Sequence, residues 1–301
     1  MAGFNSLDDL ISQTTASGKK QVLDFSRTLV TGATSAAGRW HEALTGGGTG
    51  GQFTLTGTAG VGVAMNSATT GALPLNAAVA PATRHVMSAN VITSSTTAAP
   101  AYVLLTDIIH VYRSCSIVTT PSTLTTHPTW TGTGDTRMTN ANGVFASVLM
   151  TTASTVAPQL TLTYTNQAGT AGRTTTAPNG SVFGPVAATP AGCFLNQTTV
   201  TGTTGGLFSP LAAGDLGVQK VDSYAINTSG TGGVACIILH RPICYIPVAV
   251  ANAASVLDFL TGVPALPRIY DDSCLAIISR VGGAYAAGGV IEGQITYGWG
   301  S

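Results

Sequence analysis

Apolar positions along the chain fall mostly into short alternating or continuous runs rather than at helical spacing. In "QLTLTYT" (159–165) Leu160, Leu162 and Tyr164 share one face and Thr161, Thr163 and Thr165 the other, the period of a half-buried strand. The runs "KVDSYAINTS", "GVACIILH", "CYIPVAVA", "SCLAIISRVG" and "GVIEGQITYGW" read as further strands, separated by Gly, Pro or Asn turns. Two stretches break this rhythm. "ASVLDFLTGV" (254–263) places Val256, Phe259 and Leu260 at helical spacing, which predicts one helical insert. "NSLDDLISQ" offers Ser6 as an N-cap, Asp8 and Asp9 in the first turn, and Leu7, Leu10 and Ile11 on one side. That predicts a helix of two or three turns, too short to stand alone.

Sliding the chain against itself suggests that the pattern occurs twice. Ala37-Gly38-Arg39 meets Ala171-Gly172-Arg173 at an offset of 134, and "HVMSANVIT" (85–93) meets "QKVDSYAIN" (219–227) at the same offset. "VLLTDIIHVY" meets "CIILHRPICY" at 133, and Arg137 meets Arg268 at 131. Ala146 meets Ala276 at 130, and "LTY" (162–164) meets "ITY" (295–297) at 133. The predicted organisation is an N-terminal arm with a short helix (1–34) and two tandem copies of an antiparallel β-sandwich or jelly roll, 35–166 and 167–301.

Composition sharpens this all-β reading. Charged residues are 8% of the 301, twelve basic against twelve acidic, and Thr, Ser, Gly, Ala and Asn take their place. A zero net charge gives no long-range field to draw nucleic acid or an anionic membrane, so neither is expected as a partner. The most apolar run, from Val234, is interrupted by His240, Arg241, Pro242 and Pro247, so no membrane-spanning helix is expected. No basic start followed by an apolar segment marks a leader, and the chain reads as soluble and unprocessed. A surface so poor in charge is weakly protected against association, which suggests that neighbours cover much of it.

Candidate chemistry is sparse. Cys115, Cys193, Cys236, Cys244 and Cys274 form an odd set without CxxC spacing and read as buried thiols of a cytoplasmically folded chain. Cys236, His240 and Cys244 would line a helix, but the run is β-like, so no metal and no cofactor are expected. "TGGGTGGQF" (45–53) and "TGTTGGLF" (201–208) lack the Lys-Ser/Thr of a phosphate loop, and "TGAT" after Val30 lacks a βαβ context. The adjacent Asp271 and Asp272 suit a turn that caps backbone amides better than a glycosidase pair. Asp107 with His110, and Arg241 after His240, lack a nucleophile elbow. The expectation is a non-enzyme. Arg137 and Arg268 hold equivalent places in the two copies and are candidates for a domain or subunit interface.

The segments "FNSLDDLISQTTASGKK", "YTNQAGTAGR" and "HRPICYIPV … LPRIYDDSCLAII … TYGWG" resemble virion structural proteins of tailed bacteriophages, capsid decoration (cement) proteins among them. The resemblance runs along most of the chain and implies no enzyme, cofactor or metal. It implies a protein assembled in the host cytoplasm, located in the virion, and bound across subunits of the major capsid protein. Phe4, Leu7, Leu10, Ile11, Lys19 and Lys20 would then form a capsid-docking arm. Two copies per chain suggest a trimer with near-sixfold symmetry. A collar, tail or fibre component is the alternative location. A glycan-binding surface module would need aromatic platforms, for which Trp40, Trp130 and Trp299 are the tryptophans. A polysaccharide-degrading enzyme would direct attention to Asp135, Asp271 and Asp272.

Overall fold

The computed structural model describes residues 4, 6–29, 38–94, 99–119, 123–134, 136–156, 158–176, 179–180, 191–197, 206–260, 266–282 and 288–300. Ser6 caps helix α1 (Leu7–Ile11), its hydroxyl accepting the Asp9 N–H at 3.1 Å, and a π-helical stretch Ser12–Ala16 follows. Among the described residues sixteen strands then succeed one another: β1 (Lys20–Thr28), β2 (Trp40–Glu42), β3 (Gly62–Ala64), β4 (Arg84–Thr93), β5 (Ala101–Ser116), β6 (Phe145–Thr152), β7 (Gln159–Asn166) and β8 (Arg173–Thr174), then β9 (Asn179–Gly180), β10 (Phe194–Gln197), β11 (Val218–Thr228), β12 (Val234–Val248), β13 (Ser255–Asp258), β14 (Arg268–Ile269), β15 (Leu275–Val281) and β16 (Val290–Trp299). Among the described residues every strand pairing is antiparallel, apart from one isolated bridge, and the structure is nearly all β, as expected.

Two sheets share the work. The smaller runs β1-β16-β4-β13, with β14 also on β4; the larger runs β11-β7-β9-β10-β6-β12-β5-β15-β2. The ends of the stretch from β10 to β2 meet: His41 bridges Cys193, and the Glu42 N–H donates to the Gly192 carbonyl at 2.9 Å. Six strands therefore close into a small barrel. Its interior is filled by Trp40, Leu104, Ile108, Leu149, Phe194, Ile238, Ala276 and Ile278, as a narrow barrel requires. Outside the barrel, Val103, Leu105 and Ile277 pack against the smaller sheet through Leu23, Phe25, Val86 and Ile295. Farther along, Tyr112, Ile237 and Leu239 pack against Leu162, Tyr164 and Tyr224 of β7 and β11.

Three sequence expectations change here. Residues 255–258 form strand β13 on the edge of β4, not a helix; Phe259 is buried in the core and Val256 faces out, so the apolar spacing is met by an extended segment and its turn. "GVACIILH" and "CYIPVAVA" are one strand, β12, which passes through Pro242 by a register irregularity between Pro242 and Cys244. The arm expected over 1–34 ends at Gly18, because β1 is the edge strand of the smaller sheet and buries Leu23 and Phe25.

Segments 35–166 and 167–301 do not build one sandwich each. Among the described residues, only the β3–β5 and β9–β10 pairings join strands of the same segment or the same side of Asn166. Apart from the isolated bridges, every other strand pairing joins a strand before or ending at Asn166 to one after it, including β5 with both β12 and β15. All three apolar cores draw side chains from both segments.

Candidate interaction sites

Low charge does not mean idle charge. Arg27, Arg39, Arg84, Arg137, Glu42 and Asp107 are all buried. Arg27 donates to the carbonyls of Thr49, Gly51 and Gly71, tying the glycine-rich 46–51 segment to β1. That segment is a structural loop: a Cβ at Gly48 or Gly50 would strike backbone carbonyl oxygens. Glu42 accepts from the Leu44 and Thr45 N–H groups and the Thr45 hydroxyl; burial pushes its carboxyl up against those bonds.

Seven of the 24 charged residues gather where the 79–84 loop meets the turn before β15. Arg137 donates to Asp107 Oδ1 at 2.8 Å, with both side chains almost wholly buried, and to the Met65 carbonyl. Asp107 Oδ1 also accepts the Cys274 N–H at 2.8 Å, and Oδ2 accepts the Ser273 hydroxyl at 3.0 Å. Burial raises the Asp107 pKa, while Arg137 and these two donors pull it back. Asp272 sits 3.3 Å from Arg137 Nε, and Asp271 Oδ2 accepts the Val79 and Ala80 N–H groups at 3.0 and 3.1 Å. Arg84 lies 3.6 Å from Asp271. Two guanidinium groups approach the Tyr270 ring, Arg268 at 4.3 Å from its centroid and Arg241 at 5.7 Å. Arg268, Tyr270, Asp271 and Asp272 line a cleft of about 380 Å³ with the 79–84 loop.

This geometry separates the sequence candidates. Arg137 bridges β5 and the turn before β15, so its partners are inside the chain. Arg268 is half-exposed on Tyr270, at the cleft. The two arginines are thus not in like environments, although both belong to one cluster. Asp271 and Asp272 lie in a turn, as expected, and face different partners: one takes backbone amides, the other Arg137. Two carboxylates engaged in this way do not converge on one bond. Asp135 lies outside the described residues. Asp107 and His110 are held apart in function, since His110 Nε2 faces the Thr126 carbonyl at 2.8 Å. Cys236 lines the barrel and Cys244 the core beside the smaller sheet, so the Cys236-His240-Cys244 spacing gathers no ligand set. All five cysteines are free and buried, and burial pushes each thiol up, Cys236 to about 11 and Cys244 to about 12.

The N-terminal residues divide into two groups. Leu10 is buried, Phe4 stands 6.2 Å from His85, and the Trp299 N–H donates to the Lys19 carbonyl, so this side of the arm packs on its own chain. Leu7 (65% exposed) and Ile11 (49% exposed) point away. Lys19 lies just before β1 and Lys20 begins it. Sequence reasoning did not find the inward arginines Arg27, Arg39 and Arg84, nor the bonding of Asp215. That carboxylate is pushed up by its partial burial but pulled down further, to about 2, by Arg173, Tyr164 and Asn166. A lone Arg inside an alternating run, as in "DFSRTL", was the available signal. Among the described residues no group of His, Cys, Asp and Glu is arranged to hold a metal ion, and no helix is long and apolar enough to cross a membrane.

No protein-family model and no curated protein matches the chain. Among solved structures it is similar to VP2 of Infectious Bursal Disease Virus. A mutant VP2 in derived T=1 particles is 10% identical, over 97% of this chain and 83% of that one, with a TM-score of 0.19. The VP2 subviral particle is 9% identical, over 97% and 86%, also with a TM-score of 0.19. The likeness to viral capsid proteins is weak and coarse, and no residue role is taken from it.

Proposed function

We propose that the chain is a non-enzymatic structural protein of a virus particle that acts by adhesion, and more finely a decoration protein of a tailed-phage head. The observation that carries this reading is where the charge lies. Among the described residues six charged side chains are buried, so a chain already poor in charge keeps still less of it for its exterior. Such an exterior, covered by hydroxyls, amides and glycines, offers little protection against association and suits close apposition to uncharged neighbours. The sequence resemblance to phage virion proteins points the same way. The partner under this reading is the major capsid protein, with a trimer as the proposed assembly. The outward Leu7 and Ile11 are the residues of the arm left to meet a neighbour.

The test is quantitative mass spectrometry of purified particles. Hundreds of copies per particle support decoration, a handful points to a collar or tail part, and absence from particles overturns a virion role. One observation favours a second reading, a glycan-holding module. Tyr102 (51% exposed) pairs with Pro247, and Tyr245 (44% exposed) with Leu104, so the two rings stand diagonally on one face beside Trp40. Loss of glycan-array binding in a Tyr102→Ala, Tyr245→Ala double variant would support that module instead.

A further inference from the structure

We infer that the chain is a covalently joined, strand-exchanged pair of equal units, each of which finds its strand partners in a second copy of itself. The pairing registers carry the inference. Replacing β2, β4, β5, β6 and β7 by β10, β11, β12, β15 and β16, in that order, and the reverse, leaves the pairings among these ten strands unchanged, with β1, β3, β8, β9, β13 and β14 standing outside the exchange. The agreement extends to single residues. Ala146 opposite Leu239 has its counterpart in Ile277 opposite Leu105, and Met150 opposite Ala235 in Val281 opposite Ala101. Leu162 opposite Tyr224 is matched by Ile295 opposite Ala89, and Tyr164 opposite Val221 by Tyr297 opposite Val86. In the central pair, Val103 opposite Ile246 is matched by Ile237 opposite Tyr112. The barrel closes in the same way, with Leu149 opposite Phe194 and Arg280 opposite Trp40.

Burial follows the same exchange. Val86, Ala89, Val103, Leu105, Ile277, Ile295 and Tyr297 belong to the core beside the smaller sheet, and their counterparts all belong to the core beneath β7 and β11. In the barrel interior Trp40 maps onto Phe194 and Leu104 onto Ile238. A twofold axis perpendicular to the sheet between β5 and β12 produces this arrangement, since it exchanges antiparallel neighbours without turning either over. The equivalences correct several alignments read from sequence. β4 maps to β11 at an offset of 135 and β5 to β12 at 134, one residue from the sequence matches, and Ala146 maps to Ile277. A one-residue slip would put the wrong side chains inside. The Ala-Gly-Arg match at 134 dissolves: Arg39 is buried beside the barrel, whereas Arg173 is on β8 with Asp215. The segment that occupies the place of Arg39-Trp40 is Cys193-Phe194.

The experiment uses the whole chain with a site-specific protease sequence inserted between Ala168 and Gly169, an exposed turn. After cleavage of the folded protein, native light scattering is expected to show one species of the same mass as the uncleaved protein, with both fragments in it. The fragments should part only in denaturant and regain the original spectrum when remixed. Fragments that separate without denaturant overturn the exchange. A second variant, Trp40→Phe with Phe194→Trp, tests whether the units are equal. A urea midpoint close to that of the parent supports equivalent barrel positions; a loss as large as that of Trp40→Ala overturns it.

Discussion

His240 gives this fold a defined response to acid. Its ring is fully buried against Phe208, with centroids 4.9 Å apart. The Thr106 hydroxyl donates to the Arg241 carbonyl at 3.0 Å, so toward His240 Nδ1, at 3.1 Å, it acts as acceptor. His240 is therefore the neutral Nδ1–H tautomer, and Nε2 has no hydrogen-bond partner. A second proton would be placed on Nε2 without an acceptor, and burial holds the pKa down to about 3. The unfolded chain titrates near 6.5, so between pH 3 and 6.5 it binds more protons than the folded one, and stability falls as pH drops through that window. From pH 7 to 5 the loss from this residue is about 2 kcal/mol. His110, held down to about 4 by burial, adds a loss of the same sign. Asp107 and Glu42, which burial raises, act in the opposite sense, so the parent protein alone does not isolate His240. A His240→Gln variant does. Urea midpoints of parent and variant at pH 7 and pH 5, converted with their own slopes, should show the parent losing about 2 kcal/mol more than the variant. Equal losses would refute a neutral, sealed His240.

Other perturbations probe the charge cluster, the barrel and the arm. Arg137→Met leaves Asp107 buried without its cation and should cost about 3–5 kcal/mol in urea denaturation, with a smaller loss when Asp107→Leu accompanies it. Trp40→Ala empties one place in the barrel interior and should cost about 3–5 kcal/mol, with loss of near-UV dichroism. Leu10→Ala should lower stability measurably, whereas Leu7→Ser and Ile11→Ser should leave it within about 0.5 kcal/mol and weaken attachment to particles in a sedimentation assay. Deletion of 1–18 should leave a folded protein by circular dichroism, and deletion of 1–27 should not, because the second removes β1.

Much of the local structure was legible in the sequence because strands announce themselves by period. β7 and β16 fall where the alternation puts them, and Ser6 caps the helix it was expected to cap. Residues 255–258 misled because four residues of apolar spacing fit an edge strand as well as a helical turn, and pairing with β4 decided between them. Against the equivalences inferred from the strand pairings, several of the sequence matches lie one residue off, since weak matches of Val, Ile and Leu do not distinguish the two faces of a strand. Nothing in the order of residues says whether a strand pairs within its own segment or with the other, because both choices can bury the same apolar face. The site residues fared similarly. The turn at Asp271-Asp272 could be read locally, whereas the Asp107–Arg137 contact joins residues thirty apart through three-dimensional packing alone.

The crossing of strands between segments also bears on how the chain emerges from a ribosome. When Asn166 leaves the tunnel, β4, β5, β6 and β7 have been made, yet all their long pairings await β11 onward. Half-made protein is thus a set of apolar strands with open edges, the state most prone to stick to its neighbours. Completion should come late and slowly, because the distances closed along the chain are long. Growth conditions that slow aggregation, such as low temperature or abundant chaperones, should therefore raise the soluble yield far more than they change the finished molecule.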